Sequence, residues 1–337
     1  MVEARDNGAA RVCLGVDVGS VTTKLALLTA DGEVSDSLYM RTDGHPIRAI
    51  QEGLRQIGGR VPPETVVYGA GATGSGRQLA GVMIGADVVK NEITAHAVAA
   101  LKIAPGARTV IEIGGQDSKI IIIRDGVVVD FAMNTVCAAG TGSFLDHQAA
   151  RLKIPIEEFG EIALRSKRPV RIAGRCGVFA ESDMIHKQQA GYATEDIIAG
   201  LCEALVRNYL NNVARGKQIL GPIIFQGGVA ANVGIRAALE RALGEQVIVP
   251  PHYGVTGAIG AAMLAQEAVA PSNASGCSGG NGGTRFRGFE VGKLDFRTSA
   301  FECSGCPNIC EVVEVRSEGK VLARWGDRCG KWSMGVA

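Results

Sequence analysis

Two cysteines stand among glycines at the starts of helix-like segments. Cys137 lies in Asn134-Thr-Val-Cys-Ala-Ala-Gly-Thr-Gly-Ser-Phe-Leu-Asp146, and Cys176 lies in Gly174-Arg-Cys-Gly-Val-Phe-Ala-Glu-Ser-Asp183. Each follows an extended stretch and precedes what reads as a first helical turn. A thiol placed there is pushed toward thiolate by unpaired backbone N–H groups and the positive end of the helix dipole. Two such thiolates per chain are half of a four-cysteine iron–sulfur site, and a two-fold dimer would supply the other half. Taken singly, each cysteine also reads as a small buried hydrophobe. Spacing alone leaves both readings open, and the glycines beside the sulfurs favour the first.

Three glycine turns offer a second kind of chemistry. Asp17-Val-Gly-Ser-Val-Thr-Thr-Lys24 sits between two strands. Its backbone N–H groups at Gly19 and Ser20, with the hydroxyls of Ser20, Thr22 and Thr23 and the ammonium of Lys24, make an anion cradle. Asp17 can hold Mg²⁺ through water. Glu112-Ile-Gly-Gly-Gln-Asp-Ser-Lys119 is the counterpart, led by Glu112, with Gly114, Gly115 and Asp117 in the turn. Gln116 carries both a donor and an acceptor, which suits it to orient an attacking water. A third turn, Gln226-Gly-Gly-Val-Ala-Ala-Asn232, follows an apolar strand and opens a helix. There Gly227, Gly228, Val229 and Asn232 can lie against a base or ribose. Gly140, Thr141 and Gly142, just past Cys137, complete the candidate nucleotide set. Each turn alone reads as an ordinary β-turn; three in this order form a specific constellation.

A further cysteine group, Cys303-x2-Cys306-x3-Cys310-x18-Cys329, lies in too few residues to build a core of its own. It reads as a metal module, with zinc and iron–sulfur both compatible with the spacing.

These residues need elements to position them. Val12 to Asp17, Lys24 to Leu28 and Glu33 to Tyr39 read as an antiparallel three-strand meander, followed by a helix over Pro46 to Ile57 and a strand at Thr65–Tyr68. Thr109 to Ile113, Lys119 to Arg124 and Val127 to Met133 repeat the meander about a hundred residues on, a weak internal duplication. A strand is expected at Ile223–Phe225, and helices over Gly142–Leu152, Val178–Gln189, Thr194–Ala214 and Gly234–Leu243. Residues 1–10 read as a disordered leader. Ser272 to Gly283 reads as a flexible linker. The expected division is a first lobe at 11–103, a second at 104–270 whose last helix returns to the first, a linker at 271–295 and a cysteine module at 296–337.

Composition narrows the function. A chain of 337 residues with 46% hydrophobic content supports two domains and a small module. Net charge of +1 gives no electrostatic footprint for nucleic acid or an anionic membrane. No signal-peptide core opens the sequence, and the apolar stretch Val247 to Ala270 is broken by Pro250, Pro251 and two glycines, so it is no membrane span. Nine cysteines in a chain read as cytoplasmic argue for metal or redox chemistry over disulfides. Gly69-Ala-Gly-Ala-Thr-Gly74 matches a dinucleotide fingerprint, but it follows three antiparallel strands and lacks a convincing ribose-binding acid. Gly71-x4-Gly76 ends in Arg77-Gln78, where a phosphate loop needs Lys and Ser or Thr. The five histidines share no spacing and read as structural or surface groups, while Asp146, Glu181 and Asp183 read as complements to helix starts.

With these segments assembled, the chain resembles the actin/sugar-kinase/Hsp70 ATPase superfamily. Within it the chain resembles the activators (component A) of 2-hydroxyacyl-CoA dehydratases and the related ATPase subunits of benzoyl-CoA reductases. The resemblance spans about residues 11–268. It rests on Asp17-Val-Gly-Ser, Ile113-Gly-Gly-Gln-Asp117, Val136-Cys-Ala-Ala-Gly-Thr-Gly142, Arg175 to Asp183 and Gly227 to Asn232. It implies two ribonuclease-H-like α/β domains with ATP in the cleft between them. It also implies a homodimer with one [4Fe–4S] cluster on its axis, ligated by Cys137 and Cys176 of each subunit. Reduced ferredoxin or flavodoxin would charge the cluster. ATP hydrolysis would then drive one low-potential electron into an iron–sulfur acceptor: a hydroxyacyl-CoA dehydratase, a benzoyl-CoA reductase or a double-cubane protein. The minimal activators end near residue 268, so the cysteine tail is a departure, and a similar segment occurs in larger activator-like proteins. Two rivals stand beside this reading. A sugar or amino-sugar kinase predicts a base in the cleft and no iron; a metal-binding interaction module predicts function lost with residues 271–337.

Overall fold

The computed structural model describes residues 10–134, 137–270 and 283–335. Nearly all of the expected leader, and the expected linker from Ser272 to Gly282, lie outside the described residues.

The chain divides into two units, residues 1–99 with 257–337 and residues 100–256. The first opens with β1 (Arg11–Val18), β2 (Thr22–Thr29) and β3 (Val34–Arg41), then α1 (Pro46–Gly58), β4 (Val66–Thr73), α2 (Arg77–Ile84), the short β5 (Val88–Val89) and α3 (Glu92–Ile103). The sheet order is β3-β2-β1-β4-β5, with the meander antiparallel and β4 parallel to β1. Strands β1 and β2 read as near-continuous apolar runs because helices cover the sheet. Helix α1 starts at Pro46, whose fixed φ suits a first helical position, and buries Ala49, Ile50, Gly53, Leu54 and Ile57 along one stripe.

The second unit repeats the plan. Strands β6 (Thr109–Ile113), β7 (Ser118–Arg124) and β8 (Val127–Asn134) form the meander, and a 3-10 turn spans Ala138–Gly140. There follow α4 (Gly142–Leu152), α5 (Ile156–Leu164), α6 (Gly177–Gln189), α7 (Thr194–Asn212), β9 (Ile223–Gln226), α8 (Val233–Leu243) and β10 (Val247–Ile248). The order β10-β9-β6-β7-β8 mirrors the first sheet. Helix α7 is the spine of this core: eleven of its residues, including Leu201, Leu205 and Tyr209, are buried.

The chain then returns to the first unit as α9 (Thr256–Val269). A Cβ at Gly15 would strike the Ala258 carbonyl and one at Gly71 the Ala261 carbonyl, so bare glycine lets α9 lie directly on β1 and β4. The dinucleotide-like glycines at 69 and 71 are therefore packing residues, as Gly69 faces Cys13 and Val269. The apolar stretch broken by prolines is this buried helix and its approach. Among the described residues no helix is long and apolar enough to cross a membrane.

Beyond it lie β11 (Phe296–Glu302), β12 (Glu311–Ser317) and β13 (Lys320–Trp325), an antiparallel sheet in that order. Residues 284–294, inside the stretch expected to be linker, are packed on the first unit. The Asp87 carboxylate accepts from the Thr284 hydroxyl (2.6 Å), the Arg285 amide (2.7 Å) and the Ala70 amide (2.8 Å). The Gln51 side chain donates to the Leu294 carbonyl (2.6 Å), and Phe289 lies over Gly58. Val291, Phe296, Val315 and Ala323 join the core formed by β1, α1 and α2. Phe296→Ala is expected to destabilise the first unit by about 3–5 kcal/mol, as large-to-small core changes do. Thermal unfolding checks this: a transition unmoved from the parent would mean the sheet is only tethered.

Candidate functional site

The internal duplication carries matched charged pairs. Asp17 at the end of β1 is directly opposite Lys24 on β2, and Glu112 on β6 is directly opposite Lys119 on β7. The Lys24 ammonium donates to Asp17 Oδ2 at 3.1 Å, and the Lys119 ammonium to Glu112 Oε2 at 2.9 Å and Asp117 Oδ2 at 2.8 Å. Each turn closes the same way, Gly19 N–H onto the Thr22 carbonyl and Gly114 N–H onto the Asp117 carbonyl, both at 2.9 Å. Each acid is also walled by a glycine with φ near +89°, a region closed to most side chains: Gly74 against Asp17 and Gly227 against Glu112. The repeated acid-x6-Lys pattern was available in the sequence as a sign of this pairing.

In the first unit, Asp17 is 5% exposed, and a Cβ at Gly257 would reach within 2.6 Å of its Oδ2. Beside it on β4, Thr73 is opposite Asp17 and its buried hydroxyl has no partner among the described residues. A carboxylate hemmed by glycines, with a spare buried hydroxyl, fits a hydrated Mg²⁺ and phosphate oxygens. Gly19 and Ser20 form the open side of the turn. Thr23 does not: its hydroxyl is fully buried against Thr42 Oγ1 (2.9 Å), and Thr42 in turn donates to the Gly19 carbonyl (3.0 Å). It braces the turn from beneath. Thr22 is buried as well.

In the second unit Gln116 is exposed on its turn, while Lys119 is 2% exposed and Tyr209 donates to its carbonyl (2.8 Å). Burial pushes the Tyr209 phenol well above its ordinary pKa, so it stays a donor. Removing one member of a buried ion pair leaves the others uncompensated. Lys119→Met is therefore expected to cost about 3–5 kcal/mol; urea denaturation reads this, and a midpoint equal to the parent's would refute the buried Lys119–Glu112 pair.

Thr141, Gly142 and Ser143 bond within this unit. The Thr141 hydroxyl donates to the Ala138 carbonyl (2.9 Å), the Gly142 amide to the Gly114 carbonyl (2.8 Å), and the Ser143 amide to the Gly115 carbonyl (2.8 Å). The two amide bonds join the second glycine turn to the start of α4. Asn232 caps α8, accepting from the Ile235 amide at 3.0 Å, and Val229 is buried with its side chain against Gly142.

Cys137 and Cys176 are both half-exposed and extended, each immediately before a helix: the 3-10 turn at Ala138 and α6 at Gly177. Val178 and Phe179, in the first turn of α6, are 70% and 66% exposed. Cys13 and Cys202 differ; burial pushes their thiols up to about 11 and about 12, and both pack as apolar core.

The four tail cysteines are not gathered into the closed site expected of them. Cys303 is buried, and its thiol is held below the ordinary range by the Gly305 N–H and by the Trp332 indole N–H at 3.1 Å. Trp332 is itself packed edge-on to Phe301. Cys310 meets Cys303 through the backbone (2.8 Å), while Cys306 and Cys329 are exposed and the Cys329 thiol turns to Asp327. Among the described residues no three His, Cys, Asp or Glu side chains are placed to hold a metal ion.

The sequence profile of the BadF/BadG/BcrA/BcrD ATPase family matches residues 14–265, more than half of the chain. The chain belongs to that family. It is 38% identical over 261 residues to the (R)-2-hydroxyglutaryl-CoA dehydratase activating ATPase of Acidaminococcus fermentans, covering 76% of this chain and 98% of that one. The solved structure of component A of that dehydratase superposes with a TM-score of 0.68 at 35% identity, over 77% of this chain and 98% of that one. The activator of the 2-hydroxyisocaproyl-CoA dehydratase from Clostridium difficile, solved with bound ADPNP, gives 0.69 at 32% identity, over 80% of this chain and all of that one. The two repeated sheets are thus the architecture of this ATPase family, and the C-terminal sheet lies outside the family match.

Proposed function

We propose that this protein is an ATP-hydrolysing activator that delivers one low-potential electron to an iron–sulfur acceptor enzyme, a 2-hydroxyacyl-CoA dehydratase or a related reductase. The observation that carries the reading is the pair Cys137 and Cys176, each half-exposed and extended at a helix start. Cys137 stands immediately before the 3-10 turn at Ala138–Gly140 and Cys176 immediately before α6, so neither thiol is taken up into a helix interior. The donor set fits a shared [4Fe–4S] cluster, held by both cysteines from each of two subunits. Such a cluster, when bound, would store and release the single electron. Val178 and Phe179 offer apolar surface beside Cys176 for the second subunit. Ferredoxin or flavodoxin would be the donor.

The residues' own work is positioning. Asp17 would hold Mg²⁺ through water, and the turn at Gly19 and Ser20 would bind phosphate oxygens. Gln116, exposed at the second turn, would orient water, while Lys119 fixes Glu112 and Asp117 in place. Because the Gly114 and Gly115 carbonyls accept from the first amides of α4, any shift of this turn on hydrolysis pulls on the segment that carries Cys137. Moving one electron across ~300 mV needs about 7 kcal/mol, within reach of one or two nucleotides.

Anaerobic reconstitution tests the reading. One cubane's iron and sulfide per dimer, a dithionite-reduced EPR signal and ATP-dependent reduction of a purified dehydratase are expected. ATP hydrolysis with no iron bound by the full chain would overturn it.

A further inference from the structure

We infer that Asn134 and Asn208 form an amide clasp that fixes Cys137 and Cys176 relative to each other within one subunit, acting as positioning residues for whatever the two thiols hold. The inference rests on the proposed role of these cysteines, but the geometry of the clasp stands independently.

Asn134, the last residue of β8, grips the Cys137 peptide from both ends. Its Nδ2 donates to the Cys137 carbonyl at 2.7 Å, and its Oδ1 accepts from the Cys137 amide at 3.0 Å. Asn208, on α7, holds the other cysteine's loop, its Nδ2 donating to the Gly174 carbonyl two residues before Cys176. The two amides converge on one spot. A Cβ added at Gly140 would lie 2.7 Å from Asn208 Oδ1 and 3.5 Å from Asn134 Nδ2. Gly140 is therefore the gap through which the Cys137 turn rests on Asn208.

The rest of the Cys176 loop is held to the same helix and to α6. Arg207 donates to the Ile172 carbonyl (2.6 Å), the Ala173 amide donates to Asp183 (2.8 Å), and Gly174 packs against the Ala204 carbonyl. Asn208 itself is 2% exposed, and its Oδ1 has no donor among the described residues. A buried, half-satisfied amide costs stability, so its presence here calls for an explanation. Here it lies against both cysteine-bearing segments, bonded to Gly174 and set against Gly140. Such outer-shell contacts orient ligands without touching the bound group.

The test uses the full chain in its cluster-free form, reading alkylation of each cysteine by iodoacetamide with mass spectrometry. Asn208→Leu keeps the branched shape of the side chain and removes both polar atoms, releasing the Gly174 carbonyl from its donor. It is expected to raise the Cys176 rate about fivefold to tenfold while ADPNP affinity stays within about twofold, because a loop that loses a hydrogen bond opens more often. Gly140→Ala, which crowds Asn208 Oδ1 without deleting a partner, is expected to change the Cys137 rate in the same range. Should Asn208→Leu fail to fold, Asn134→Ala, at a half-buried position, is expected to accelerate Cys137. Rates for both cysteines within twofold of the parent in every folded variant overturn the clasp. Iron uptake is measured alongside. A parent that binds no iron defeats the ligand assignment, and the alkylation rates still decide the clasp. A parent that loads while Asn208→Leu loads a tenth as much, or gives a shifted EPR spectrum, supports both.

Discussion

Cys137→Ala and Cys176→Ala should each abolish ATP-dependent electron delivery completely, and each should strip the bridging iron from the dimer. The effect is all-or-none because a cubane shared by two subunits loses two of its four protein ligands when one position per chain is changed. Neither cysteine contributes to the Asp17 turn, whose bracing runs through Thr23, Thr42 and Lys24. ADPNP binding should accordingly stay within a few-fold of the parent, and the transition on heating should move little, since half-exposed thiols make few core contacts. Iron and sulfide analysis, EPR and calorimetric nucleotide titration measure the three parts separately. Retention of a full cubane in either variant would sink the ligand assignment, whatever happened to the activity.

The second large effect belongs to the nucleotide turns. Gln116→Ala should slow ATP hydrolysis by about 10²-fold, the usual cost of removing a group that orients attacking water, with little change in stability because the side chain is exposed. Asp17→Asn should also slow hydrolysis by about 10²-fold or more and raise the Mg²⁺ requirement, since the neutral amide no longer offsets the cation. The two differ in the fold: Asp17 is buried against Lys24, so its replacement should also lower the unfolding midpoint, whereas Gln116→Ala should not. Steady-state hydrolysis over a Mg²⁺ series, with denaturation on the same samples, separates them. Parental hydrolysis in Gln116→Ala would move the water-orienting role to another residue.

Much of this arrangement was legible in local sequence. The alternating apolar runs with glycine turns located β1 to β3 and β6 to β8, and the cysteines stand before helices as their flanking residues implied. What escaped was decided by partners distant in sequence. Thr23 and Thr141 have the hydroxyls a phosphate cradle wants, but Thr42 and the Ala138 carbonyl claim them. Asn208 lies on a helix far along the chain from Asn134, and nothing in either segment marks the other. The tail cysteines have metal-like spacing, yet Trp332 and Asp327 engage two of their sulfurs. The glycines of the false dinucleotide motif answer to α9, a helix nearly two hundred residues further on.

The seam between α1, α2 and residues 284–294 bears on how such proteins can be recombined. Its lock is a set of host positions: Gly58, which makes room for Phe289; Gly85, which lets the Arg285 carbonyl approach; and Asp87, whose carboxylate receives two donors from the incoming segment. A C-terminal sheet transplanted by simple fusion onto a family member with other residues at these three positions would find no seat for residues 284–294, and should dangle. Carrying the three host residues across with it converts the same fusion into a seated graft, so the transferable unit is the sheet together with its socket.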